Sequence, residues 1–262
     1  MKNVDEFKEN INCSIRKEEG KIMDTILKIN DIVKRYPGVL ALDGVSMEFK
    51  EGEVHSIMGE NGAGKSTLIK IISGAIKPDE GTIEIGDTVS IGVFAQENRE
   101  LDLKMRAIDY IREGGESIPT EKGERITAST LAERFMFDGN LQYSLIEKLS
   151  GGEKRRLQLL RILMESPNVL ILDEPTNDLD IETLKILEDF LDEFLGVVIV
   201  VSHDRYFLDR ICNKIFAYEG DGKIKTYVGN YSDYLIQKEE EYSENILHKV
   251  KEETKVKECK KV

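Results

Sequence analysis

Cysteine is scarce and scattered. Cys13, Cys212 and Cys259 are odd in number and far apart, which makes no disulfide framework. Long apolar runs are missing as well: one of the longest, Val197-Val198-Ile199-Val200-Val201, falls well short of the roughly 20 residues a membrane-spanning helix needs. No basic-then-apolar signal segment opens the sequence, because residues 1–10 are polar and mixed in charge. Basic residues are outnumbered, 37 Lys and Arg against 50 Asp and Glu, for a formal net charge of −13. That balance disfavours non-specific nucleic-acid binding by the chain as a whole, although a local basic face stays open. The expectation is a reduced, soluble, cytoplasmic protein.

What is present suffices for a proper core. With 262 residues and 40% hydrophobic content, the chain fits one large domain with a subdomain, or two small domains. Residues 1–22 show no period and read as a poorly ordered leader, with Met23 an alternative start. Strand-like patterns cover residues 26–29, 41–42, 45–49, 54–58, 82–85 and 89–94, with a turn at Arg35-Tyr36-Pro37-Gly38. Residues 101–113 predict a helix, 114–124 a loop, and 128–137 a helix stopped at Gly139; this central part reads as a helical insert.

The strongest signal lies at residues 59–67, which fit G-x-x-x-x-G-K-[ST], the phosphate-binding P-loop. Gly59, Gly62 and Gly64, with Asn61 and Ala63 between them, permit a tight turn and close approach of backbone to a polyphosphate. N–H groups there, and the start of a helix near Lys65, suit an anion. Lys65 is placed to reach the β- and γ-phosphates, and Ser66, followed by Thr67, to supply a hydroxyl to Mg²⁺. The apolar strand before and apolar helix after the loop argue against a chance glycine turn. A nucleoside triphosphate site is predicted.

Two later segments share this logic. Ser150-Gly151-Gly152 precede a helix with an apolar stripe at Leu157, Leu160, Leu163 and Met164, a second helix start suited to an anion. Val169-Leu170-Ile171-Leu172 is a continuous apolar run of the kind buried on both faces of a parallel sheet. It delivers Asp173 and Glu174 at its carboxyl end, where open α/β sheets hold ligands. Asp173 is placed to hold Mg²⁺, and Glu174 to deprotonate an attacking water; a loop-capping pair is the alternative. Asp180 can cap the next helix. Val197–Val201 ends similarly, two residues before His203, which reads as a γ-phosphate contact or as a structural histidine. Tyr36 can stack on an adenine or fill a local core. His55 and His248 read as ordinary structural residues. Alternating strands and helices predict an α/β fold with a parallel, doubly wound sheet.

Together these pieces resemble the ATP-binding-cassette (ABC) ATPase family. In family order stand a Walker A motif at residues 59–67, a Q-loop glutamine at Gln96, and a signature at Leu149-Ser150-Gly151-Gly152-Glu153. A Walker B strand at residues 169–173 with Glu174, a D-loop at Asn177-Asp178-Leu179-Asp180 and a switch histidine at His203 follow. The resemblance covers roughly residues 24–235. It implies a P-loop NTPase of ABC type, with a mostly parallel core sheet, an antiparallel β part and a helical subdomain at about 98–165. Residues 23–236 would form the cassette and 237–262 a charged tail. It further implies ATP and Mg²⁺ as ligands, with Ser66, Gln96 and Asp173 at the metal, and Glu174, His203 and Gln96 in catalysis. Tyr36 falls where the family stacks adenine. The implied partner is a second cassette, identical or not, bound head to tail. Each ATP would lie between one P-loop and the other subunit's Ser150-Gly151-Gly152, with Asp180 coupling the sites.

Within the family the likeness is divided. Residues 24–79, through Val33-Lys34-Arg35-Tyr36-Pro37-Gly38-Val39, resemble sugar-importer ATPases, whose partner is a membrane permease. From about residue 81 the chain resembles the second cassette of ABC-F proteins, soluble ATPases that act on ribosomes. That likeness rests on Ile91-Gly92-Val93-Phe94-Ala95-Gln96-Glu97, Glu174-Pro175-Thr176-Asn177-Asp178-Leu179-Asp180 and Ser202-His203-Asp204-Arg205-Tyr206-Phe207-Leu208. ABC-F proteins carry two cassettes in one chain, and here there is one P-loop and one signature. Three functions are therefore expected in turn: an ABC-F-like ATPase, an importer subunit, or a nucleotide-binding fragment without productive hydrolysis.

Overall fold

Two long strands, β1 (Thr25–Tyr36) and β2 (Val39–Lys50), pair antiparallel around the turn Pro37-Gly38, where Gly38 takes φ 81°. Strand pairing therefore runs through Arg35 and Tyr36, beyond the start of the expected turn. On the other side of β1 lies β4 (Glu80–Ile85), giving a three-stranded sheet ordered β2-β1-β4. The computed structural model describes residues 25–60, 62, 64–95, 100–119, 125–219 and 222–243. The expected leader, Asn61, Ala63, Gln96 and His248 lie outside the described residues.

The second sheet has six strands. Five are parallel: β3 (Val54–Met58), β5 (Ile91–Phe94), β8 (Val169–Asp173), β9 (Val197–Val201) and β10 (Lys214–Tyr218). Only β11 (Ile224–Val228) is antiparallel, and the order is β11-β10-β3-β9-β8-β5. Side chains of a strand point alternately to opposite faces, and β8 and β9 use both. Val169, Ile171, Val197, Ile199 and Val201 join a core with the small sheet and the helix α1 (Lys65–Ile72). Leu170, Leu172, Val198 and Val200 join a second core with the helices opposite. Burial on both faces explains the unbroken apolar runs. Each such side chain contributes about 1.5–3 kcal/mol by leaving water.

The second core is closed by α2 (Ala107–Arg112), α3 (Ala128–Arg134), α4 (Gly139–Tyr143), α5 (Gly151–Met164), α7 (Ile181–Asp192) and α8 (Arg205–Ile211). A single turn, α6 (Pro175–Asp178), links β8 to α7. Three details differ from the sequence expectation. The helix expected over 101–113 forms only from Ala107, because Arg106 bridges to Leu145 in extended form and Leu103 faces solvent. The expected loop 114–124 contains β6 (Ser117–Pro119), paired with β7 (Arg125–Thr127); three-residue strands are too short to show a period. Gly139 does not stop a helix. The preceding helix ends at Arg134, and Asp138 caps a new one by accepting from the Leu141 N–H at 2.8 Å.

Residues 231–243 are helical, so the tail boundary expected at 237 falls inside a helix. Glu241 on that helix pairs with Lys225 and accepts from the Tyr227 hydroxyl. No helix among the described residues is long and apolar enough to cross a membrane.

Candidate nucleotide site

Three adjacent strands of the central sheet, β3, β9 and β8, deliver their carboxyl ends to one place. The chain leaving β3 turns through Gly62 and Gly64, at φ 83° and 99°, into α1. At Gly64 the requirement for glycine is steric as well as conformational: a Cβ there would lie 2.3 Å from the Ala41 carbonyl oxygen. The first N–H groups of α1 have no partner within the helix and point back at the loop.

Lys65 is 8% exposed. Its Nζ donates to the Gly59 carbonyl at 2.9 Å and lies 3.0 Å from His203 Nε2. Burial pushes the Lys65 pKa down, against the opposing pull of Glu174 and Asp173. Asp173, last residue of β8, is pushed up by burial and then by the Glu174 charge beside it.

Glu174 follows at φ 52°, a left-handed backbone rarely taken by a residue with a side chain. Its N–H donates to the Val201 carbonyl at 2.7 Å, tying the ends of β8 and β9 together. Glu174 is 9% exposed, and its carboxylate stands 3.4 Å from His203 Nε2. His203 thus sits between a buried cation and a buried carboxylate. Its approach is fixed by Ser202, whose hydroxyl accepts from the Asp204 N–H at 3.1 Å and meets Thr176 Oγ1 at the same distance.

These groups line one cavity of about 560 Å³, together with Tyr36, Ser66, Thr67 and Asn177. Tyr36 stands at its rim, 44% exposed. Asn177, named from the sequence only as part of the D-loop and given no role at the nucleotide, lines the cavity from the single turn α6, three residues after Glu174. Ser150, Gly151, Gly152 and Asp180 do not line the cavity. Ser150 caps α5 in a reciprocal box with Glu153, which leaves Gly151 and Gly152 exposed and open to approach. Asp180 caps α7 by accepting from the Thr183 N–H at 2.8 Å and also pairs with Arg156 at 2.8 Å.

The donor set fits a polyphosphate: glycine backbone, a helix start, a buried ammonium and an imidazole. For a metal, the described residues hold no cluster of three or more His, Cys, Asp or Glu side chains. The Ser66 hydroxyl and Asp173 carboxylate suit an ion whose remaining ligands are phosphate oxygens and water, as Mg²⁺ prefers.

The family model described as ABC transporter matches residues 42–177, just over half of the chain. The chain belongs to the ABC transporter family. Among its ABC relatives, the Bacillus subtilis (strain 168) protein named uncharacterized ABC transporter ATP-binding protein YfmR is 48% identical over 210 residues, covering 80% of this chain and 33% of that protein. The energy-dependent translational throttle protein EttA of Escherichia coli (strain K12) is 40% identical over 227 residues, covering 87% of this chain and 40% of that protein. The EttA match therefore runs through both the importer-like and the ABC-F-like stretches. Among solved structures, cbiO1 from Clostridium perfringens, part of the ABC transporter complex cbiONQ, aligns with a TM-score of 0.63 at 25% identity, over 85% of this chain and 95% of that one. The P-loop fold of ABC type is the one found. The chain spans a third to two-fifths of the length of these two curated relatives and nearly all of the ABC subunit.

Proposed function

We propose that this cassette binds ATP with Mg²⁺ in the cavity at the ends of β3, β8 and β9, and hydrolyses it paired head to tail with a second cassette, in the service of translation. The observation that carries the reading is the convergence of Lys65, Asp173, Glu174 and His203 on one cavity behind a glycine loop whose Gly64 admits no side chain. The translational setting is supported by the likeness to EttA, named for that role, over 87% of the chain.

In this reading the Lys65 ammonium and the N–H groups opening α1 hold the β- and γ-phosphates, and Tyr36 stacks on the base. Ser66 and Asp173 hold Mg²⁺, with Gln96 completing the set; the ion neutralises phosphate charge. Glu174, held within reach by its bond to Val201, takes a proton from the attacking water. His203 bonds the γ-phosphate once that group draws Lys65 away from Nε2. Ser150-Gly151-Gly152 of the second cassette close the open side of the cavity. Asp180, at that same junction, links one site to the other.

The test compares three proteins. Lys65→Ala weakens binding of a fluorescent ATP analogue by roughly 30-fold or more, as expected on losing one partner of a buried charge pair. Glu174→Gln keeps the wild-type affinity and slows hydrolysis by about 10²–10⁴. Wild-type turnover by Glu174→Gln would remove Glu174 from the role of base. Glu174→Gln is then sedimented with ribosomes, with and without ATP·Mg²⁺. ATP-dependent pelleting supports the translational assignment. Its absence shifts the role to the ATPase subunit of a transporter, the class to which cbiO1 belongs.

A further inference from the structure

Two neighbouring arginines on α5, directly behind Ser150-Gly151-Gly152, reach out of their own helix to the two carboxylates that follow Glu174. Arg156 pairs with Asp180 at 2.8 Å, and Arg155 with Asp178. Arg155 is the more deeply engaged. Its guanidinium also donates to the Ala95 carbonyl at 2.6 Å and to Gln158 Oε1 at 3.1 Å, and lies 4.4 Å from the centre of the Phe94 ring. One largely buried side chain therefore joins the end of β5, helix α5 and the turn α6.

That turn is a weak element by itself. It spans four residues, and its closing bonds are from Asn177 N–H to Glu174 O and from Leu179 N–H to Pro175 O, both at 3.1 Å. Glu174, its first cap, holds a left-handed backbone that costs on the order of 1–3 kcal/mol and persists only where the surroundings over-determine it. The bond from Glu174 N–H to Val201 fixes one side of the turn; the Asp178 pair fixes the other. Only a planar fork satisfies three acceptors in different directions while stacking on an aromatic ring.

We propose that Arg155 is a positioning residue for the ATP site: it fastens the Glu174 turn to the helix behind Ser150-Gly151-Gly152 and so holds Glu174 in place at the cavity. The proposal rests on the ATPase reading above for its kinetic consequence and on the geometry alone for the fastening.

The test uses the full chain with Arg155→Gln, Arg155→Lys, Asp178→Asn and the double change Arg155→Gln with Asp178→Asn. Three readouts are taken: turnover against ATP concentration, Kd for a fluorescent ATP analogue, and hydrogen exchange at the amides of Asn177 and Leu179. In Arg155→Gln, kcat falls roughly tenfold to a hundredfold, as for other small misplacements of catalytic groups, while Kd stays within about twofold. Exchange at both amides rises about tenfold or more, and the double change is no worse than the worse single one, as for residues acting as a unit. Arg155→Lys, which keeps the charge and the fold without the fork, still loses kcat. Unchanged exchange in Arg155→Gln overturns the proposal. So does wild-type kcat in Arg155→Lys, which would reduce the residue to a generic structural cation. A wild-type chain that binds the analogue but turns over no ATP overturns the hydrolytic reading by itself, and exchange at the two amides then decides the fastening.

Discussion

At residue 64 two demands fall on one atom that is not there. The backbone stands at φ 99°, and the Ala41 carbonyl oxygen occupies the position beside it. Gly64→Ala therefore meets strain and collision together, and the opposing atom is main chain, which cannot swing aside. The expected outcome is loss of analogue binding and a fall in stability of about 1–3 kcal/mol or more, read by titration and by thermal unfolding of the same protein. Gly62, also at positive φ but with open space around it, is the control that suffers from strain alone. The need for glycine at 64 was legible from the motif spacing, whereas Gly62 falls on an open position of that motif. That Gly64 is additionally pressed by β2 was not legible, because the oxygen belongs to a residue 23 positions away whose own side chain says nothing about it.

At the scale of elements, the central strands were the most legible part. Val169–Asp173 and Val197–Val201 are short, apolar throughout and flanked by turn residues, which leaves a doubly covered parallel strand as their natural state. The hairpin of β6 and β7 was invisible for the opposite reason: three residues per strand carry no period. Strand β3 hides a further property. His55, fully buried on it, stacks on Phe216 and meets Phe49 edge-on. Its Nε2 lies 3.2 Å from Glu53, which also pairs with Lys214 at 2.8 Å.

Burial lowers the His55 pKa, against the pull of Glu53. Burial would raise Glu53, but its bonds to His55 and Lys214 outweigh that and hold it down at about 2. The unfolded chain therefore takes up a proton at His55 first, below about pH 6.5, and stability declines from there as pH falls. The contribution of Glu53, complete above its unfolded value near 4.5, is lost as pH drops towards 2. Thermal midpoints measured from pH 8 to pH 4 show this as a decline that begins near 6.5 and steepens below 4.5. His55→Phe, which keeps a flat ring between Phe49 and Phe216, flattens the first part of that decline. An unaltered slope between pH 7 and 5 in His55→Phe would exclude the histidine as its source.

At the scale of the whole molecule, the parts expected to act on one ATP stand apart. The P-loop, Asp173, Glu174 and His203 share a cavity; Ser150, Gly151 and Gly152 are exposed elsewhere on the surface. If two cassettes must meet to complete a site, hydrolysis per molecule rises with protein concentration and levels off once pairs dominate. Turnover measured over a hundredfold dilution series checks this, with light scattering of Glu174→Gln in ATP reporting the pair directly. A flat specific activity would mean that one cassette completes its own site. The net charge of −13 works against chance association, so pairing that depends on ATP would stand out from background.

The contact between Gly64 and Ala41 also bears on how such a site is recorded in evolution. The restraint is carried by a main-chain oxygen on one side and by the absence of a side chain on the other. Residue 41 can vary without relieving it, and residue 64 has no alternative with which to answer. The two positions would therefore leave no trace of coevolution, although a join between the antiparallel sheet and the phosphate loop runs through them.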